Sequence, residues 1–217
     1  MAHPKKSVLD TLASCGVVAI IRTKSSDELV DVARALIDGG ICVVEITMTV
    51  PGALDVIRRA TSELADRDLC LGVGTVPDSQ TAQAAIDAGA EFIVSPTCNP
   101  DTVKRCNDQN VLVLPGAFTP AEVERAWKVG ADVVKIFPAN IGGPRYFTDL
   151  KEPMPDIRLL PTGNVNLESA PKYIAAGAVA VGVGGLLFGK DLIAKRDFSQ
   201  ITENARELVA AVSAARS

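Results

Sequence analysis

Four stretches of this chain repeat one pattern, a glycine followed by one or two linking residues and then a short apolar run. They are Gly40-Ile41-Cys42-Val43-Val44-Glu45, Gly89-Ala90-Glu91-Phe92-Ile93-Val94, Gly130-Ala131-Asp132-Val133-Val134-Lys135 and Gly177-Ala178-Val179-Ala180-Val181-Gly182. A glycine in that place ends a helix, because it can turn left-handed and leave the last carbonyls satisfied. The apolar run behind it is short for a helix and reads as a strand covered on both faces. Each stretch is thus a helix feeding into a buried strand, and a series of such units predicts a parallel sheet with helices packed on it.

The rest of the chain supplies the intervening units. Residues 5–15 carry a short amphipathic helix pattern, and Val17 to Arg22 reads as a first strand ending in a charge. Ser25-Ser26-Asp27-Glu28 has the form of a capping box, with Leu29, Val32, Ala33, Leu36 and Ile37 on one face of the helix that follows. Strands are predicted near 17–22, 43–47, 69–75, 92–96, 111–116, 133–138, 158–162 and 178–184. Pro51 opens a helix over 52–65, and Pro77, Pro100 and Pro120 stand near first turns, with Asn99 and Thr119 as candidate caps. Segment 139–157, with Gly142, Gly143, Pro144, Pro153 and Pro155, is expected to hold a long loop and a short helix. Strand starts recur about every 19 to 26 residues, the size of one strand plus its crossover helix. The expected architecture is a (β/α)8 TIM barrel with an N-terminal helix, one domain over 1–217. An open doubly wound sheet fits less well, since no Gly-x-Gly-x-x-Gly opens a helix after the first strand.

Composition narrows the chemistry. The only histidine is His3, so imidazole triads and His-x-x-His metal sites are excluded, and no metal is expected. The five cysteines, Cys15, Cys42, Cys70, Cys98 and Cys106, are widely spaced with no Cys-x-x-Cys pair, which predicts free thiols in a reducing cytoplasm. A net charge of −4 without any basic run argues against nucleic acid or an anionic membrane, and no apolar run approaches the length that spans a bilayer. A small-molecule substrate is the expected partner.

Lys135 breaks the apolar run from Val133 to Pro138. A lysine there is either an edge-strand residue reaching water, half of an ion pair, or a working amine. The glycine repeat bears on the choice. If the four glycines are equivalent, Glu45, Val94, Lys135 and Gly182 share one layer of the barrel, and Glu45 and Lys135 face each other across its axis. Such a pair could simply plug the barrel, but Gly182 leaves a gap in that layer, which suits a ligand better than a core. Arg22, Gly74-Thr75, Pro115-Gly116 and Pro161-Thr162-Gly163 lie at the strand ends where such barrels carry active sites. Taken singly, Arg22 is a rim charge and Thr75 and Thr162 are backbone-bonding hydroxyls.

A lysine desolvated in a barrel can offer a neutral amine to a carbonyl, and Glu45 can shuttle protons beside it. Schiff-base chemistry on a ketone is the best-fitting reaction, with Arg22 clamping a carboxylate. Gly163-Asn164 and Gly184-Gly185 follow the last two strands, the usual phosphate position.

Together, Val17–Arg22 (VVAIIR), Glu45–Val50 (EITMTV), Gly72–Thr75 (GVGT), Phe92–Pro96 (FIVSP), Leu114–Gly116 (LPG), Val134–Ala139 (VKIFPA), Pro161–Gly163 (PTG) and Val181–Gly184 (VGVG) resemble the 2-keto-3-deoxy-6-phosphogluconate (KDPG) / 4-hydroxy-2-oxoglutarate (KHG) aldolase family, in order and over about 17–189. The resemblance implies a metal-independent class I aldolase, commonly trimeric, that splits a phosphorylated keto acid into pyruvate and glyceraldehyde 3-phosphate, or KHG into pyruvate and glyoxylate. It needs no cofactor beyond the covalent adduct on Lys135. It makes Lys135 the Schiff-base lysine and Glu45 the general acid/base, puts Arg22, Thr75 and Thr162 on the pyruvyl part, and lines the pocket with Pro96 and Phe137. The chain departs from the family at Asn164, usually a second glycine, and at Gly185, often a serine. Both fall in the inferred phosphate cradle, so another acid such as 2-keto-3-deoxy-6-phosphogalactonate stays open as the substrate. An isomerase or epimerase with Glu45 as base, and a barrel without catalysis, are the rival readings.

Overall fold

The computed structural model describes residues 4–189 and 191–216, so His3 lies outside the described residues. Its strands are β1 (Val17–Ile21), β2 (Val43–Thr47), β3 (Cys70–Gly74), β4 (Phe92–Val94), β5 (Leu112–Leu114), β6 (Gly116–Ala117), β7 (Val134–Ile136), β8 (Leu159–Pro161) and β9 (Val181–Val183). Helices α1 (Lys5–Cys15), α2 (Leu29–Asp38), α3 (Ala53–Glu63), α4 (Ser79–Asp87), α5 (Pro100–Asp108), α6 (Pro120–Lys128), α7 (Gly143–Lys151), α8 (Ser169–Ala175), α9 (Gly185–Phe188) and α10 (Phe198–Ala214) surround them. The described strand pairs are all parallel, in the orders β5-β4-β3-β2-β1-β9 and β6-β7-β8.

These two sheets are arcs of one barrel. The strand expected over 111–116 is interrupted at Pro115, which has no N–H to give the ladder. Its first half pairs with β4 and its second half with β7. The other seam is closed by the bridge between Thr162 and Gly182 and by the Val179 N–H donating to the Leu159 carbonyl at 2.9 Å. Eight strand positions result, as expected. Several strands stop short of their expected ends because Pro96, Pro115 and Pro138 sit at the C-terminal mouth, where each removes a donor.

Gly40, Gly89, Gly130 and Gly177 have φ of 92°, 105°, 103° and 91°, the left-handed turn that the repeat predicts. Asn99 caps α5 by accepting from the Asp101 N–H at 2.9 Å, and Thr119 with Glu122 forms a reciprocal capping box on α6. The capping box expected at Ser25–Glu28 does not form. The Ser25 hydroxyl turns instead to the Asp27 carboxylate at 3.2 Å, and α2 starts at Leu29 without a side-chain cap. Segment 139–157 is also more helical than expected: a 3-10 turn, Ala139–Ile141, leads into α7, whose first turn accommodates Pro144.

Inside the barrel, Val18, Val43, Cys70, Phe92, Leu112, Leu114, Val133, Leu160 and Ala180 pack together. Val8 and Leu12 of α1 close this core at the N-terminal end, each fully buried and each worth about 1.5–3 kcal/mol on the scale of apolar burial. The salt bridge from Lys5 to Asp132, 2.8 Å, and the hydrogen bond from Arg216 to the Ser14 carbonyl, 2.6 Å, hold α1 in place.

Candidate active site

The strand registers bring Lys135 and Glu45 into one layer. Glu45 pairs through Gly72 with Phe92, and two residues further along β4 is Val94. Val94 pairs with Leu114, Gly116 two residues on pairs with Lys135, and Lys135 pairs with Leu160, two residues before the Thr162–Gly182 bridge. An advance of two residues for every two strands is the stagger of an eight-stranded barrel, so Glu45, Val94, Lys135 and Gly182 lie level. Lys135 and Glu45 are buried, at 7% and 2% exposure. The two side chains share neither a hydrogen bond nor a close ion pair, so the buried plug is not what they form. The Lys135 ammonium lies 5.3 Å from the centre of the Phe137 ring.

Burial pushes the Glu45 carboxyl above the usual carboxylate range, against the pull of Lys135 and Arg22. Its position depends on a glycine that the sequence did not single out for this purpose. A Cβ at Gly74 would come within 1.7 Å of Glu45 Oε1, so the bare backbone of β3 is the slot that admits the carboxylate. The next residue, Thr75, has a φ of 59°, which is unfavourable for a β-branched side chain by about 1–3 kcal/mol. In that conformation its hydroxyl accepts from Arg22 Nη2 at 3.3 Å.

A cavity of about 560 Å³ opens at the mouth, lined by Ile20, Arg22, Thr162, Gly163, Asn164, Gly182, Gly184 and Gly185, together with Val165, Asn166, Leu186, Phe188 and Gly189. Arg22, Thr162 and the four cradle residues therefore converge on one space. Thr162 Oγ1 is buried in the cavity wall with no hydrogen-bond partner among the described residues, which leaves it free to bond what enters the cavity. Gly163 and Asn164 both have positive φ, 107° and 51°, which turns the loop after β8 along the cavity wall.

Lys135, Glu45 and Thr75 do not border this cavity, and neither do Pro96 and Phe137, which border a neighbouring depression of about 220 Å³ with Cys98, Gly116, Phe118 and Arg125, the Phe137 ring lying beside Lys135. One expectation needs correction. Gly182 does not leave a void in the Lys135 layer. A Cβ there would approach Thr162 Oγ1 to 2.7 Å and Ile20 Cδ1 to 3.0 Å, so the glycine makes room for these two side chains. Among the described residues no cluster of three His, Cys, Asp or Glu side chains is arranged to hold a metal ion.

A sequence model of the family described as KDPG and KHG aldolase matches residues 8–204. The 2-dehydro-3-deoxy-phosphogluconate aldolase of Treponema pallidum is 36% identical over 197 residues, covering 90% of this chain and 93% of that protein. The KHG/KDPG aldolase of Escherichia coli is 30% identical over 96% of this chain and 98% of its own length. The crystal structure of KDPG aldolase from Legionella pneumophila, with pyruvate captured at low pH as a covalent carbinolamine intermediate, superposes with a TM-score of 0.85 at 25% identity, covering 92% of this chain and 96% of that one. With most of its length matched in sequence and in fold, this chain belongs to the KDPG and KHG aldolase family.

Proposed function

We propose that this aldolase cleaves KDPG to pyruvate and glyceraldehyde 3-phosphate, with Lys135 as the Schiff-base lysine and Glu45 as the acid/base. The observation that carries the reading is a buried amine with no close ion-pair partner among the described residues, level with a buried carboxyl that holds its proton more tightly than usual. The Lys135 amine adds to the C2 ketone, and loss of water leaves an iminium. Removal of the C4 hydroxyl proton, with Glu45 accepting it directly or through water, lets the C3–C4 bond break. Its electron pair flows into the iminium, and the aldehyde departs from an enamine. Protonation at C3 and hydrolysis then release pyruvate and restore the amine. Arg22, with Thr75 bonded to it, clamps the pyruvyl carboxylate, and the unpaired Thr162 hydroxyl bonds the same end of the substrate. Pro96 and Phe137 bound the approach to Lys135 from the neighbouring depression.

A second reading concerns the far end of the substrate. Gly163, Asn164, Gly184 and Gly185 form the cradle for the phosphate, but a Cβ at Gly185 would meet nothing within 4 Å among the described residues, so this wall is open there. That openness favours acceptance of other 2-keto acids, including KHG, which yields glyoxylate. We also infer a homotrimer working in the cytoplasm. Ile141, ending the 3-10 turn after β7, and Leu167, in the turn before α8, are exposed apolar side chains at 68% and 38%, which supports assembly, and all five cysteines are unbridged. Among the described residues no helix is long and apolar enough to cross a membrane.

Borohydride reduction in the presence of pyruvate tests the chemistry: a stable adduct on Lys135 is expected. Active protein that gives no adduct would instead be using Lys135 as an electrostatic stabiliser, as an isomerase would. Pyruvate release measured over phosphorylated and unphosphorylated acids tests the cradle, and equal rates on both would remove the phosphate from the proposal. Sedimentation at a mass of one chain would remove the trimer.

A further inference from the structure

The closed end of the barrel carries a thiol pair that the aldolase chemistry does not use. Cys15 is the last residue of the plug helix α1, and its thiol donates to the Val17 carbonyl at 3.3 Å. Cys42 immediately precedes β2, and the β1–β2 register, in which Ala19 pairs with Val44, sets it beside Val17. Cys15 and Cys42 therefore meet over the start of β2, both packed against the core that Val8 and Leu12 close. Both cysteines are partly exposed, whereas Cys70, whose N–H donates to the Cys42 carbonyl at 2.7 Å, is buried.

The surroundings make the two thiols unequal. The hydrogen bond from Cys42, followed by those from the backbone, outweighs burial and holds the Cys15 thiol down to about 6. The same contact and burial push the Cys42 thiol up, with Asp68 and Cys70 adding to the effect. Burial raises Cys70 and Cys106 to about 12, which leaves them unreactive. Once Cys15 gives up the proton it shares with the Val17 carbonyl, a thiolate stands beside a thiol that keeps its own, the arrangement of an attacking and a resolving cysteine.

We propose that Cys15 and Cys42 form a redox-active dithiol that closes to a disulfide on meeting a low-molecular-weight disulfide, tying the plug helix to β2. The Cys15 thiolate attacks one sulfur of the small disulfide, forming a mixed disulfide and expelling a thiolate. Cys42 passes its proton to that thiolate and attacks Cys15 Sγ, and the second small thiol leaves after taking a proton from solvent. Counting the proton that Cys15 releases to solvent on becoming a thiolate, the protein loses two protons and two electrons, and one disulfide becomes two thiols. Since the bond forms at the end of the barrel away from the Arg22–Thr162 cavity, it stiffens the fold without touching the site.

Incubating the whole protein with glutathione disulfide, alkylating with iodoacetamide and mapping peptides by mass spectrometry tests this. A Cys15–Cys42 linked peptide is expected, reversible by dithiothreitol, with pyruvate release unchanged and the thermal midpoint raised by roughly 5 °C or more. Cys42→Ser should stop at a glutathione adduct on Cys15, while Cys15→Ser should take up glutathione at Cys42 roughly tenfold more slowly. Full alkylation of both cysteines after oxidation, a persistent adduct on wild-type Cys15, or a bridge to Cys70 would each overturn the proposal.

Discussion

At its N-terminal end the barrel is closed by Val8 and Leu12, which lie against Val18, Val43 and Phe92 with no polar side chain among them. At its C-terminal end β2, β7 and the residue after β8 bury Glu45, Lys135 and Thr162, two ionisable groups without a hydrogen bond between them and a hydroxyl with no partner among the described residues. One end is assembled as a core and the other as a site, and the cost of burying polar groups marks which is which. Substitutions at the two ends should therefore separate folding from catalysis.

The largest effect is expected at the mouth. Lys135→Met removes the proposed nucleophile and should lower pyruvate release by about 10⁴-fold or more. It also removes a buried amine that makes no close ion pair among the described residues, so thermal unfolding should show a midpoint equal to or above that of the wild type. A midpoint several degrees lower would mean that Lys135 belongs to the core after all. At the other end Leu12→Ala should do the converse, costing about 2–5 kcal/mol in denaturant unfolding while the folded fraction keeps its kcat. A fall in kcat in step with stability would erase the division between the two ends.

Gly74→Ala sharpens the comparison within the site. Its methyl group competes with the Glu45 carboxylate for one space, so the carboxylate must move. Kinetics should show kcat lower by about 10²–10³-fold, the range of a displaced acid/base, with the borohydride-trapped pyruvate adduct still formed. If trapping is lost as well, the glycine supports more than Glu45.

The pH dependence of stability carries a signed prediction. Because the Glu45 carboxyl is raised in the folded protein, the folded state binds this proton more tightly than the unfolded chain. Its contribution is fully present below the unfolded carboxylate range and is lost as pH rises through the folded value. Glu45→Gln lacks that loss. The variant's thermal midpoint, relative to wild type, should be highest near pH 8 and should decline toward pH 4. A difference that stays constant across this range would place the Glu45 carboxylate in water.

How much of this was legible in the sequence differs with the kind of residue. Layer membership was legible, because a glycine with φ near 90–105° before four of the strands fixes where each begins, and position along a strand fixes the face. The role of Gly74 was not. A glycine in Gly72–Thr75 shows only that a side chain is missing, and the group filling its space comes from another strand. The separation of Pro96 and Phe137 from the Arg22 cavity was hidden for a similar reason, since motif order does not say which loops border one cavity. Ser25 was misread because its hydroxyl had a carboxylate within two residues to compete with the helix N–H groups.

Thr162 offers the smallest effect and the most direct contrast with Leu12. Its backbone N–H donates to the Ile136 carbonyl and its own carbonyl accepts from the Ala139 N–H, so the fold holds this residue by its main chain and leaves the hydroxyl unused. Thr162→Val keeps the shape and the β-branch while deleting only that oxygen. If the hydroxyl served the core, the variant would lose stability. An orphan hydroxyl predicts the opposite sign, a gain of about 1 kcal/mol in denaturant unfolding, together with a KM for the keto acid raised roughly tenfold through the bond no longer made to substrate. Because the two readouts move in opposite directions only when the oxygen is reserved for a ligand, a Thr162→Val protein that is both less stable and kinetically normal would return this residue to the barrel's structural wall.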